Sequence, residues 1–163
     1  MSQKARIFWP LLILLVLADC TTKKVAVEQL GPSGVPHEVV GSVLQFTLGY
    51  NPGTAFGIDV GPWSRPLLVL VAVGILTVLA LLYRRTAPTA RAMAVALALV
   101  CGGAVGNLID RLRSPFGVVD FIDVGIGAHR FWTFNIADAG ITVGAVLLVV
   151  LMWDQEQTHT TAP

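Results

Sequence analysis

The sequence predicts an α-helical membrane protein, four transmembrane helices with a small outward-facing β-sheet cradle. Three observations carry that expectation. The 163 residues are 55% hydrophobic and only 13% charged, whereas a soluble domain carries about a quarter charged residues. Mean hydropathy is +0.73. Four apolar runs stand apart along the chain, each near the ~20 residues that cross ~30 Å of hydrocarbon. Residues 1–163 are expected to form a single membrane domain, because no repeat or low-complexity linker divides them.

The runs cover about residues 7–27, 66–83, 92–110 and 136–153. Backbone groups in lipid must pair internally, so these runs are helices. The first begins MSQKARIFWPLLILLVLADC. That stretch is similar to a bacterial lipoprotein signal ending at a lipidated cysteine. Asp19 stands where the residue before such a cysteine should be small, and TTKKVAVEQL can carry a helix onward. Retention as a first membrane helix is the expectation. Cys20 and Cys101 lie in separate apolar runs, so no disulfide framework is indicated.

Two segments link the helices on one side, about residues 28–65 and 111–135. In the larger, VVGSVLQFTLGYNPGTAFG reads as strand, turn, strand: Val39, Val40, Val43, Leu44, Phe46 and Leu48 favour strand, with Gly and Pro as punctuation. The smaller, RLRSPFGVVDFIDVGIGAHRFWTFN, alternates short apolar stretches with turn residues. Neither can build its own core, so both should lie against the helix ends or the membrane surface. Orientation rests on Lys and Arg in short loops. Lys4 and Arg6 precede the first run, and Arg84, Arg85 and Arg91 crowd one tight turn. That density puts both termini in the cytoplasm and the two linking segments outside, although five basic residues then fall inside and six outside.

On this topology Asp19, Lys23, Asn51, Asn107, Asp110, Arg111, Asp120, Asp123, Asn135 and Asp138 all fall at the outward edge. Ionisable groups at membrane depth are functional candidates. Asp138 opens the last run and fits a helix N-cap as well as it fits chemistry. Asp120 has apolar neighbours, VVDFID, while Asp123 precedes the glycine-rich VGIGA and fits an exposed turn. Two carboxylates brought together cannot both ionise easily. The ionised member can activate water and the protonated member can donate to a peptide carbonyl oxygen. The spacing of Asp120 and Asp138 permits such a pair without demonstrating it. His37, His129 and His159 are separated and lack metal-ligand spacing, so neither metal nor cofactor is called for. A net charge of +1 leaves no nucleic-acid footprint. From these residues alone three readings stand: a membrane aspartic peptidase, a small transporter or channel subunit, and a lipoprotein or assembly factor with a cleaved N-terminus. Against the second, the acids gather on one face and do not continue through the bilayer.

NPGTAFG (51–57), GGAVGNLIDR (102–111), VVDF (118–121) and FNIAD (134–138) resemble, in order, the signature blocks of the lipoprotein signal peptidases, the type II signal peptidases of bacteria. The resemblance covers about residues 10–153. It implies a membrane aspartic endopeptidase that removes signal peptides from diacylglyceryl-modified prolipoproteins, cutting before the lipidated cysteine. It implies Asp120 and Asp138 as the catalytic pair. It places Asn51, Gly53, Asn107, Arg111 and Asn135 near the substrate, and Asp19 and Lys23 as a polar pair shaping the site. Gly53, Gly103 and Gly106 match positions of close backbone approach. The implied partners are the lipid-modified precursor and membrane lipids, with a monomeric enzyme in the bacterial inner membrane. Ala139 departs from the serine that often follows the FNxAD block, and Thr54 from a small residue. Asp123→Asn is expected to be mild.

Overall fold

The computed structural model describes residues 1–52 and 61–160, without the side chains of Pro62 and residues 155–160. Gly53 and Thr54 lie outside the described residues. Four helices run Gln3–Gln29 (α1), Ser64–Arg85 (α2), Arg91–Arg113 (α3) and Ile136–Thr160 (α4). All four hold stretches long and apolar enough to cross a membrane. Four short strands accompany them: Pro36–Val40 (β1), Leu44–Asn51 (β2), Val118–Ile126 (β3) and His129–Arg130 (β4).

The central helix is α3, which packs against α1, α2 and α4. Its sequence explains the position. Ala94, Ala96, Leu97 and Ala98 are fully enclosed, and small side chains let helix backbones approach closely where lipid supplies no hydrophobic drive. On α2 and α4 the large apolar side chains, among them Leu70, Val78, Val146 and Val149, stay exposed, as a lipid-facing surface requires. At one end of the bundle Lys4 Nζ donates to the Tyr83 and Thr86 carbonyls at 2.8 and 2.5 Å. That contact ties the start of α1 to the end of α2, where free carbonyls attract a cation.

The strands gather at the opposite end of the bundle in one antiparallel sheet, order β1-β2-β3-β4. The two linking segments therefore do not lie separately against the helices. β2 pairs with β3 through Phe46↔Ile122, Gly49↔Asp120 and Asn51↔Val118, with an irregularity between Phe46 and Gly49. Bulges of this kind re-aim side chains beside active sites. Asp123 is not in an exposed turn. It is buried within β3, 2.7 Å from Arg130 Nε, and accepts from Thr47 Oγ1 at 3.2 Å. The strand continues past the aspartate because its partner arginine lies across the tight β3–β4 hairpin.

Candidate active site

Asp120 is placed by β3. Opposite it in β2 stands Gly49, and next along the strand Phe121 meets Phe46 at 6.0 Å between ring centroids. Phe134 then fastens the chain ahead of α4 to the same strand: its N–H donates to the Ile122 carbonyl at 3.0 Å, and its carbonyl accepts from Phe121 N and Ile122 N. That clasp delivers Asn135 and Asp138 beside Asp120.

Asp138 is not the N-cap of α4. Asn135 is: its Oδ1 accepts from Asp138 N at 2.9 Å, while Asp138 Oδ2 accepts from Asn135 N at 3.2 Å. This is the reciprocal geometry of a capping box, with the carboxylate in the first turn where the helix dipole favours it. Capping occupies Oδ2 and leaves Oδ1 to the site.

Asn135 and Asn107 join the carboxylates. Asn135 Nδ2 donates to Asp120 Oδ1 at 2.7 Å and lies 3.1 Å from Asn107 Oδ1. Asn107 Nδ2 donates to Asp138 Oδ1 at 2.7 Å. Behind them, Lys23 Nζ donates to Asn107 Oδ1 at 2.9 Å. The same ammonium lies 2.7 Å from Asp19 Oδ2 and 2.9 Å from Asp110 Oδ2. Asp19 Oδ1 in turn accepts from Ala137 N at 2.9 Å. A Cβ added at Gly106 would stand 2.5 Å from Asp19 Oδ2, and one at Gly103 would collide with the Ala137 carbonyl. Glycine at both positions lets α3 approach Asp19 and α4 this closely.

Burial is the main electrostatic fact. Asp120 is only 7% exposed. Burial first, then the negative charge of Asp138, push its carboxyl up to about 7, against smaller opposing effects of the Asn135 hydrogen bond, Lys23 and Arg111. A buried carboxyl beside a second carboxylate keeps its proton into neutral solution. Two facing carboxyl groups that retain one proton can act as general acid and general base together.

The structure gathers Asp19, Lys23, Asn107, Asn135, Asp120 and Asp138 into one network. Arg111 stands at its edge, donating from one guanidinium nitrogen to the Asn107 carbonyl at 3.2 Å. Its Nε is buried with no acceptor among the described residues. Asn51 ends β2, paired in register with Val118. Asp110 stands among the polar candidates at the outward edge and within GGAVGNLIDR, but it is not among the residues the sequence assigns to the site. The available signal was its spacing, three residues after Asn107 and therefore on the same helix face.

A family model described as signal peptidase (SPase) II matches residues 11–154. A lipoprotein signal peptidase of Teredinibacter turnerae is 44% identical over 147 residues, covering 87% of this chain and 82% of that one. One from Pseudomonas fluorescens is 38% identical over 163 residues, covering 98% and 95%. A solved bacterial membrane enzyme superposes with a TM-score of 0.81 at 30% identity, covering 94% of this chain and 91% of the other.

Proposed function

The chain belongs to the signal peptidase II family, and from that premise we propose that it is an aspartic endopeptidase removing the signal peptide from lipid-modified prolipoproteins. The observation that carries the aspartic mechanism is the pair itself. Asp120 and Asp138 are oriented by two asparagines whose amides point at them, and Asp120 holds its proton to about pH 7. The pair titrates as a unit. Its ionised member takes a proton from water, the resulting hydroxide attacks the scissile carbonyl carbon, and its protonated member donates to the carbonyl oxygen. Collapse of the tetrahedral intermediate breaks the C–N bond: the leaving amine takes the proton the first carboxylate had collected, and the second carboxylate takes back a hydroxyl proton as the new carboxyl group forms.

The remaining assignments follow from this reading. Arg111 offers a buried Nε–H without an acceptor among the described residues, suited to an ester or peptide carbonyl of the substrate. Asn51, Asn135 and Gly53 are assigned near the substrate by their places in NPGTAFG and FNIAD. The diacylglyceryl group and apolar signal helix supply binding energy from the bilayer, which positions the scissile bond at the membrane edge. The sheet end faces away from the cytoplasm, the arginine-rich end faces into it, and the enzyme lies in the inner membrane as one domain. A monomeric enzyme belongs to the same reading.

The test is cleavage by purified protein in detergent, using a precursor with and without its diacylglyceryl group. Wild type should cut only the lipidated form. Asp120→Asn and Asp138→Asn should each lose at least about 10³-fold in kcat while still inserting into membranes. Cleavage by either variant at wild-type rate would remove the aspartic mechanism. Absence of cutting by wild type would remove the substrate assignment.

A further inference from the structure

Lys23 is the most enclosed cation of the site, 3% exposed, and its position does not suit a substrate ligand. An ammonium has three N–H groups. Asp19, Asp110 and Asn107 lie 2.7, 2.9 and 2.9 Å from Nζ, so all three are taken. A single carboxylate would balance the charge. A second is costly in a buried group unless it makes further bonds, and Asp110 makes one: its Oδ2 accepts from Val119 N at 3.2 Å, one residue before Asp120. Asp19 likewise reaches Ala137 N, one residue before Asp138. The two acids thus anchor Lys23 to both segments that carry the catalytic pair.

Through Asn107, that anchoring has a chemical consequence. With its Oδ1 claimed by Lys23 and approached by Asn135 Nδ2, the amide must turn its NH₂ toward Asp138. The opposite orientation would set two donors against an ammonium. On the dyad reading above, we propose that Asp110 is a positioning residue: it holds Lys23 against Asn107, and Lys23 acts on the carboxylate pair through that amide and through its charge rather than by touching substrate.

Charged groups face Asp120 from three helices: Asp138 from α4, Lys23 from α1 and Arg111 from α3. Removing the Lys23 charge therefore takes away one influence that favours ionisation. The alkaline limb of the kcat profile, where the pair loses its retained proton, should move to higher pH in Lys23→Met. A purely structural lysine would lower activity without moving the limb.

The experiment compares wild type, Asp110→Asn, Asp110→Glu, Lys23→Met and the double variant, with a lipidated precursor as substrate. Asp123→Asn is a control, since Asp123 is buried in the same sheet but bonds to Arg130 and Thr47. Asp110→Asn should lose roughly tenfold or more in kcat with KM within about twofold. Asp110→Glu should recover part of the loss. The double variant should be no slower than Lys23→Met, because one residue acts through the other. Asp123→Asn should leave the limb in place. Losses that multiply in the double variant, or a limb unmoved by Lys23→Met, overturn the proposal. If Lys23→Met unfolds, Asp110→Asn decides alone: a lower kcat at unchanged melting temperature supports positioning, and an unchanged kcat overturns it. If wild type cuts nothing, the substrate assignment on which this test rests fails instead.

Discussion

At Asp120, the proposed catalytic role and stability pull in opposite directions. Its carboxyl is pushed up to about 7 by burial and by Asp138, whereas in the unfolded chain it would ionise near the ordinary value of about 3.9. Between those values the folded state binds the extra proton, so this group's contribution to stability is complete at low pH and is lost as pH rises through about 7. Asparagine keeps an oxygen toward Asn135 and never ionises. Asp120→Asn should therefore match wild type near about pH 4 and melt higher at about pH 8, by at most about 4 kcal/mol. Melting curves in detergent at both pH values check this, and an offset of equal size at each would refute it. The aspartates also show how much of a site one sequence reveals. Apolar surroundings made Asp120 and Asp138 candidates, and it is the VVDF and FNIAD blocks that singled them out as a pair. Asp110 was visible only as one polar candidate among several, since what sets it apart are contacts from Lys23 on α1 and Val119 on β3. Asp123 was misread as a turn residue because the following glycines suggested one, while its partner Arg130 arrives only through the hairpin.

Among the elements, the helices and strands differed in legibility for a physical reason. Each membrane helix satisfies its backbone locally, so a run such as PLLVLVAVGILTVLALLY announces itself. The β1–β2 hairpin was also visible, because its pairing is local. The β2–β3 pairing joins Asn51 to Val118, across two helices, and no local pattern encodes it. Close packing of α3 is tested by its glycines. At Gly106 a methyl group would stand 2.5 Å from Asp19 Oδ2, displacing the carboxylate that holds both Lys23 and Ala137 N. Gly106→Ala should cost about 1–3 kcal/mol and lower kcat together with stability. Gly74 on α2 has nothing within 4 Å of the same added carbon, and Gly74→Ala should leave both unchanged. Equal losses at the two positions in paired melting and cleavage assays would remove the packing explanation, since helix propensity alone favours alanine at both.

Over the whole molecule, the two ends of the bundle are chemically opposite, and this gives the orientation a direct test. The end with the sheet carries the carboxylate network, closed around one buried lysine. The other carries exposed Arg6, Arg84, Arg85 and Arg91 around the Lys4 contact that ties α1 to the α2–α3 turn. Cationic ends stay in the cytoplasm because translocating them is unfavourable. On the proposed orientation, catalysis at the sheet end meets a precursor whose signal helix spans the bilayer and whose cleavage point emerges on the far side. Single cysteines can report this in a chain cleared of its own thiols by Cys20→Ser and Cys101→Ala. Glu38 lies exposed on β1 and Ala87 exposed in the α2–α3 turn. A membrane-impermeant maleimide added to intact spheroplasts should label Glu38→Cys and spare Ala87→Cys until the membrane is permeabilised. The reverse pattern would put the carboxylate pair in the cytoplasm, on the wrong side for a peptidase that acts after translocation, and would leave the arginine cluster needing another explanation.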